Sequence, residues 1–540
     1  MLGYFVIRHL CFVIRHFRRF HFPHGHGLTG VSIINTLVGV DIGTQGTKAA
    51  LFAEDGRCLS QAFCPSALQR PAPGAVEEDP ERQYQSVCET IRQCVRRARI
   101  DKATVSGIGL DGQMAGIIGV GADGRHVTPY DSWLDTRCAP YIKRMEQEAG
   151  AQIVEQAGCP PSFNHGPKKI WWLHERKSVY RRIAAFVQPG GYAAMRLCGL
   201  DGAHAFIDHT YLHFSGLADN RRAAWDVGMC RWFGLDEAKL PAIMRPETIV
   251  GQLTAAAARA CGLKPGVPVV AGCGDTAASF LACGAAAEGI GVDVAGTASV
   301  FAMTTAEFRP DVRRRMLACG RSAVPGLWHP YAYINGGGMN LEWFCRELAP
   351  RLGQASRDRL DPARLDELAA AIEPDERLPL FVPHLGGRVC PAQPDLRGAW
   401  AGLTWDHGPA HLYRAVLEGV ALEYAVYKQT LLALYDHLSV KELRVTGGGR
   451  LSGLWNRLKA DTLQVPLRRV ARDEGAPLGA ALVAGFGVGL LRSLPEAAKQ
   501  WITLGEATRP RRSLAAHAAR RVARYEALVE QLNRWATDET

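Results

Sequence analysis

One short pattern occurs twice in this chain and restricts its architecture more than any other feature. Gly39-Val-Asp-Ile-Gly-Thr44 returns about 250 residues later as Gly291-Val-Asp-Val-Ala-Gly-Thr297, and an apolar strand segment follows each copy. An internal duplication of a strand-loop-strand unit is the simplest account. In the first copy Leu37-Val-Gly-Val-Asp41 reads as a buried strand, Gly43 to Gly46 as a tight loop and Lys48-Ala-Ala-Leu-Phe52 as a second strand, with Asp55-Gly56 turning the chain into a third. Acidic residues open a helical pattern over Pro80 to Ile100, and a further strand follows over Val105 to Leu110. An amphipathic helix is predicted from Lys168 to Val187. A long one is predicted from about Pro409 to Tyr435, with Leu412, Val416, Val420 and Tyr424 on one stripe. Two such units among alternating strands and helices predict two α/β domains facing one another, with a ligand cleft between them.

Length agrees with this, since 540 residues at 47% hydrophobic can bury two cores. The formal charge of +10 is spread along the chain, and the one dense patch is Arg509, Arg511, Arg512, Arg520 and Arg521, so nucleic-acid binding is not expected. The segment from Arg512 to Trp535 has helical periodicity that suits packing against the body, with Ala515, Val522, Tyr525, Leu528 and Leu532 on one face. No pair among the 15 cysteines stands as C-x-x-C, which predicts reduced thiols in a cytoplasmic protein. No apolar run reaches the roughly 18 residues that would span a bilayer. Residues 1–36 differ from the rest: Phe5-Val-Ile-Arg-His9 repeats as Phe12-Val-Ile-Arg-His16, and a His-rich stretch follows. This segment reads as a dispensable extension.

The loop Asp41-Ile-Gly-Thr-Gln-Gly-Thr-Lys48 combines glycines that let backbone N–H groups approach an anion, hydroxyls that donate to it, and a lysine. That is a phosphate loop by composition, although the Walker A order is absent. Its recurrence at Gly296-Thr297-Ala298-Ser299 supports the reading. Asp41 ends a buried strand beside the loop, where either a divalent cation or a turn-capping role would satisfy its carboxylate. In Val269-Val-Ala-Gly-Cys-Gly-Asp275 an apolar strand delivers Asp275 to the start of a helix, at the strand edge where α/β proteins place their chemistry. It is either a general base for a hydroxyl nucleophile or a helix N-cap.

In this order and at these separations, Asp41-x-Gly-Thr-x-x-x-Lys48, Gly274-Asp275, Gly296-Thr297 and Gly447-Gly-Gly449 resemble the FGGY carbohydrate kinases. So do Gly398-Ala-Trp-Ala-Gly402-Leu403 and Ala415-Val-Leu-Glu418, and the resemblance runs from about Leu37 to Gly489. It implies an actin-like fold of two ribonuclease-H-like domains, with sugar bound in the first (37–283) and nucleotide in the second (284–495), and a helical tail over 496–540. It implies ATP and Mg2+ as cofactors, Asp275 as catalytic base and Asp41 toward the metal. Thr44, Gln45, Gly46 and Lys48 match the first phosphate loop and Thr297 the second, while Gly338, Gly448, Gly449 and Ser452 match nucleotide-holding positions. Gln113, Met114, Trp133, Asp135 and Arg137 are the implied sugar contacts, alongside Asp275, although Trp133 would equally serve as core and Asp135 with Arg137 as an ion pair.

The implied reaction is phosphorylation of a small sugar or polyol, foremost a ketopentose such as xylulose or a related ketose, by a chain that could form a homodimer. The sequence departs from the xylulose-phosphorylating members at Gln113-Met-Ala-Gly116, where they carry an imidazole in place of Ala115, and again at Phe206 to His213. Both departures point toward a different sugar. A non-catalytic ATP- or sugar-binding sensor is the other role this fold allows, but with Asp41, Asp275 and both hairpins intact it is the weaker expectation.

Overall fold

A computed structural model describes residues 35–352 and 362–538, so the predicted extension at 1–36 lies almost wholly outside the described residues. The first repeat is a meander of three strands, β1 (Thr36–Ile42), β2 (Gly46–Ala53) and β3 (Cys58–Pro65), as predicted. Gly43 and Gly46 close the β1–β2 hairpin with mutual backbone bonds of 3.1 and 3.3 Å. At the β2–β3 turn Gly56 adopts φ +86°, and a Cβ there would meet the ring of Trp501.

Helix α1 (Pro80–Ala98) follows, its first turn capped by the Asp79 carboxylate. Strand β4 (Val105–Gly112) then runs parallel to β1, and its interior-facing run is buried apart from Ser106. Helices α2 (Ala139–Ala157) and α3 (His165–Glu175) belong to the excursion that precedes the last strands of this lobe. The predicted helix to Val187 is corrected here. At Arg176 the backbone leaves the helical region (φ −137°, ψ 49°), so α3 gives way to a short turn of helix at Lys177–Tyr180 and a strand at Ala185–Val187. Strands β5 (Ile249–Gln252), β6 (Pro268–Val270) and β7 (Cys273–Gly274) complete a sheet of order β5-β6-β4-β1-β2-β3, with β7 also pairing β4. Helix α4 (Asp275–Ala282) leaves β7 directly.

The second repeat builds the same arrangement. Strands β8 (Ile290–Ala295), β9 (Ser299–Met303), β10 (Ala318–Arg321), β11 (Trp328–Ile334), β12 (Glu442–Thr446), β13 (Leu467–Val470) and β14 (Leu504–Thr508) form a sheet of order β10-β11-β9-β8-β12-β13-β14. β8, β9 and β11 meander antiparallel while β12 and β13 run parallel to β8, as β1, β2, β3, β4 and β6 do in the first lobe. The duplication is therefore one of topology as well as motif. Helices α6 (Pro409–Leu434) and α7 (Gly453–Leu463) pack on this sheet, and α5 (Gly337–Trp343) packs on α6. On α6 the predicted stripe is buried at Val416, Val420 and Tyr424, with Leu412 packed at its margin.

Two later helices cross the expected domain boundaries. Helix α8 (Ala476–Gly487) belongs to the second domain by sequence, yet it lies on β1, β4 and α4 of the first lobe. The approach is close enough to require glycine. A Cβ on Gly39 would stand 1.8 Å from the Pro477 carbonyl oxygen, and one on Gly479 would stand 2.1 Å from that of Ala278. Leu37, Phe52, Ala278, Leu281, Leu478 and Leu482 share the resulting core, each buried leucine contributing about 1.5–3 kcal/mol. In the C-terminal segment β14 forms the edge of the second sheet, and α9 (Ala515–Asp538) packs on α6 and α7. Val522, Tyr525 and Val529 point inward there, while Ala515 stays exposed and Ala518 takes its place.

Candidate active site

Strand pairing brings the chemistry to one edge. Asp41 on β1 and Asp111 on β4 are register partners, and Asp111 also stands opposite Cys273 on β7, two residues before Asp275. The three carboxylates thus gather at the carboxyl ends of three adjacent strands. Asp111 is fully buried with neither oxygen hydrogen-bonded, and Asp41 Oδ1 likewise has no partner. Burial pushes the Asp41 carboxyl up from its ordinary range. Burial together with the neighbouring Asp41 pushes Asp111 well above it.

Asp275 is the first residue of α4, with Gly274 at the cap position, so the N-cap alternative does not hold. Its carboxylate accepts from the Thr276 hydroxyl at 3.1 Å and stays partly exposed. Burial, and then the charge of Asp41, raise its pKa to about 7. A carboxylate that is half protonated near neutrality, held on a helix and open on one side, is suited to taking a proton from a hydroxyl.

The second repeat provides a control within the same molecule. Asp293 occupies on β8 the place that Asp41 occupies on β1, but Lys459 pairs with it in full burial and the Tyr424 hydroxyl donates to it at 2.9 Å. Its parallel neighbour is Val445 where Asp41 has Asp111. One aspartate is thus neutralised by the fold, and the other faces further carboxylates.

The hairpins and glycine turns converge. Gly296 accepts from the Gly338 N–H at 3.0 Å and Thr297 from that of Met339 at 3.1 Å, which sets the start of α5 beside the second hairpin. A Cβ on Gly338 would meet the Gly296 oxygen at 2.3 Å, and one on Gly449 would meet Ala295 and Trp455, so both glycines permit this approach. Gly448 is exposed with open space around it, as a backbone that faces a ligand would be. Ser452 caps α7, accepting from the Trp455 N–H and donating to Asp366 at 3.1 Å. Gln45 is exposed at the tip of the first hairpin. Lys48 donates to the carbonyls of Asp473 and Glu474 at 2.8 and 2.9 Å, which ties the first hairpin strand to the loop before α8.

Thr44 links the predicted phosphate loop to the predicted sugar contacts. Its hydroxyl donates to Gln113 Oε1 at 3.1 Å and accepts from the Trp133 indole N–H at 2.9 Å. Trp133 is 44% exposed, so its ring is not core. Gln113 is buried with its Nε2 unpartnered, and Met114 packs its sulfur against Gly274. Asp135 and Arg137 sit differently. The Asp135 carboxylate is buried, accepting from the Val76 N–H and from Arg137, and the Arg137 guanidinium also reaches Glu77 and Asp131 while stacking on Trp171. These two form the ion-pair network that supports the Trp133 segment. The carboxylates of Glu77, Asp131 and Asp135 converge, and the guanidinium of Arg137 reaches all three.

Two residues here escaped the sequence reading. Asp111 was signalled only by an acidic side chain at the end of an otherwise apolar run. His165 on α3 is fully buried, its Nε2 lies 2.6 Å from the Met114 carbonyl oxygen, and its Nδ1 has no partner. Burial holds its pKa down to about 3, so the ring is neutral.

Two seven-stranded sheets of duplicated topology, with a carboxylate cluster at the strand ends of the first and a glycine hairpin in each, define a two-domain protein of the actin-like class. The chain matches the FGGY family of carbohydrate kinases, N-terminal domain over residues 36–282 and C-terminal domain over 291–488, and it belongs to that family. It is 24% identical to the xylulose kinase of Bacillus subtilis over 88% of this chain and 93% of that one, and 26% identical to the gluconokinase of the same organism over 85% and 88%. The crystal structure of xylulose kinase from Rhodospirillum rubrum superimposes with a TM-score of 0.84 at 25% identity, covering 93% of this chain and all of that one. The protein is a carbohydrate kinase.

Proposed function

We propose that this kinase transfers the γ-phosphoryl group of Mg-ATP to a terminal hydroxyl of a small sugar or polyol, a ketopentose such as xylulose or a related ketose in the first instance. The observation that carries this reading is the placing of Asp275: partly exposed, on a helix N-terminus, with its pKa raised to about 7, beside the first hairpin. Bound Mg-ATP would supply the transferable phosphoryl group and the charge that neutralises its oxygens. The unpartnered oxygens of Asp41 and Asp111 fit a divalent cation. Thr297, Gly448 and Gly449 fit a nucleotide through their backbone, while Gly46 and Gly338 close the turns that bring the hairpins to it.

Asp275 then accepts the proton of the attacking hydroxyl. Trp133 offers its ring to the C–H face of the sugar, and Gln113 its free amide N–H to a sugar oxygen. Thr44 couples both to the phosphate hairpin. Lys48, Asp135, Arg137 and Ser452 act through structure. Lys48 fastens the hairpin to the other lobe, Asp135 and Arg137 hold the Trp133 segment, and Ser452 caps α7. The 14 cysteines among the described residues are free thiols, which supports action in a reducing cytoplasm, and no helix there is long and apolar enough to cross a membrane.

Coupled ADP release with Mg-ATP across ketopentoses, ketohexoses, aldoses, pentitols, gluconate and glycerol tests the reading. Sugar-dependent turnover that falls by about 10²–10⁴ in Asp275→Ala is expected. Tight ATP binding with no turnover on any acceptor would replace the kinase reading with a sensor.

A further inference from the structure

The segment Phe206–His213 is one of the two places where the sequence departs from the xylulose-phosphorylating kinases, and it lies against the strand that delivers Asp275. Strands β6 and β7 are successive stretches along one edge of β4, parted at Gly272. Gly272 has φ +79°, and a Cβ there would stand 1.9 Å from the Leu110 carbonyl oxygen. On its outer edge β6 pairs with β5. Past β6 that cover runs out. The Ala271 and Gly272 N–H groups donate to the carbonyls of Thr248 and Pro246, and β7, two residues long, pairs with β4 alone among the described residues. A buried N–H at such an edge needs an acceptor from elsewhere in the fold. The Gly274 N–H, one residue before Asp275, finds it in the Thr210 hydroxyl at 2.9 Å.

The rest of the segment fixes that hydroxyl. A short strand, Phe206–Asp208, leads into a 3-10 turn over His209–Phe214. The buried Asp208 carboxylate accepts from both the N–H and the hydroxyl of Thr210. A hydroxyl has one proton and two lone pairs. With its proton committed to a carboxylate, the Thr210 oxygen is left to accept from Gly274, and the carboxylate polarises it into a better acceptor. Tyr211 donates its hydroxyl to the Gly112 carbonyl on β4 at 2.9 Å, so the turn grips both strands. At the far end His213 Nε2 lies 2.9 Å from the Tyr331 hydroxyl on β11 of the second lobe. Because Gly274 occupies the cap position of α4, no side chain caps that helix, and Asp275 stands where the Gly274 peptide puts it.

We propose that Thr210, held by Asp208, is a positioning residue for the reaction: its hydroxyl stands in for a neighbouring strand and fixes the Gly274 peptide, and with it the direction in which Asp275 meets the attacking hydroxyl. Thr210 is itself buried, so it acts through Gly274. The role rests on Asp275 as the proton acceptor. Displacing a reacting group by an ångström costs about 10²-fold in rate, and that loss falls on kcat when binding contacts are untouched.

The full chain is assayed by coupled ADP release with Mg-ATP and D-xylulose, or with the acceptor of the panel that turns over fastest. Thr210→Val keeps the shape and removes the hydroxyl, Thr210→Ala removes it with less crowding, and Thr210→Ser restores it. The Val and Ala variants are expected to lose about 10–10²-fold in kcat with KM for ATP and for the acceptor unchanged, while the Ser variant recovers. A role in stability alone would lower the melting temperature and leave kcat of the folded protein as it was. Wild-type kcat in a folded Val or Ala variant, a Ser variant as slow as Val, or a loss expressed in KM alone would overturn the proposal. Hydrogen exchange on wild type needs no variant to fold. The Gly274 amide, read by mass spectrometry with fragmentation, should exchange as slowly as those of β4, and exchange at the rate of an open loop would also overturn it. Asp275→Ala separates this role from the base reading. Undiminished turnover in that variant, or a panel without any turnover, removes the base reading and this role with it. Loss of turnover in Asp275→Ala beside full kcat in Thr210→Val removes this role alone.

Discussion

At the scale of single residues, the Asp275 carboxyl carries the sharpest consequence. Its folded pKa of about 7 lies above the ordinary carboxylate value of 3.8, so the fold favours its protonated form. That contribution to stability is complete below about pH 4 and is lost as pH rises through 7. As a proton acceptor the group must be ionised, so kcat/KM should climb with unit slope below pH 7 and level off above it. Asp275→Asn should lose the activity by about 10²–10⁴ and, in EDTA, gain stability over wild type progressively between pH 4 and 7. A pH–rate profile that is flat from pH 5 to 8, or a variant no more stable than wild type at pH 8, would contradict the assignment. The motif residues Asp41, Asp275 and both Gly-Thr hairpins were legible because small and acidic side chains interrupt apolar strands at fixed places. What separated Asp41 from Asp293 was not legible, since both stand in Gly-Val-Asp. The difference is made by Lys459, which is 166 residues away from Asp293 in sequence. The same holds for Trp133 against Asp135 and Arg137: residues two apart in one loop, one exposed and the others locked in an ion-pair network.

At the scale of elements, periodicity located β1, β2, β4, α1 and α6 within a few residues, because each has one face to bury and a turn or cap to stop it. It failed over Lys168 to Val187, where the apolar residues continue but Arg176 leaves the helical region. Arg521 shows the same limit. By sequence it joins a basic cluster, whereas in the fold its guanidinium is buried in two bonds to Glu418 at 3.0 and 2.7 Å. The contact of α8 with β1 is the element-scale feature most open to test. Gly39→Ala sets a methyl against the Pro477 carbonyl, so it should cost about 1–3 kcal/mol in urea unfolding. An alanine at Gly453, where a Cβ meets nothing within 4 Å, should change stability far less. Equal effects at the two glycines would mean that α8 does not approach the sheet as closely as described.

At the scale of the whole molecule, duplication predicts two domains, and two sheets of one topology are present. Neither lobe ends where the repeat does. The lobes meet through Lys48 and the 473–474 loop. They meet again where His213 Nε2 lies 2.9 Å from the Tyr331 hydroxyl and where the Cys319 N–H bonds the Gly158 carbonyl at 2.7 Å. Residues 35–283 expressed alone should therefore be aggregation-prone, with broad melting. The same residues joined through a glycine-rich linker to 476–495 should melt cooperatively, and cooperative melting of the shorter piece would contradict this. The face of the first sheet is sealed by a helix made some two hundred residues after its last strand. During synthesis the first lobe accordingly waits, with β1 and β4 uncovered, until nearly the whole chain has left the ribosome. The order in which this protein is made is thus not the order in which it becomes stable, and its dependence on chaperones should be set by the arrival of one small-residue helix.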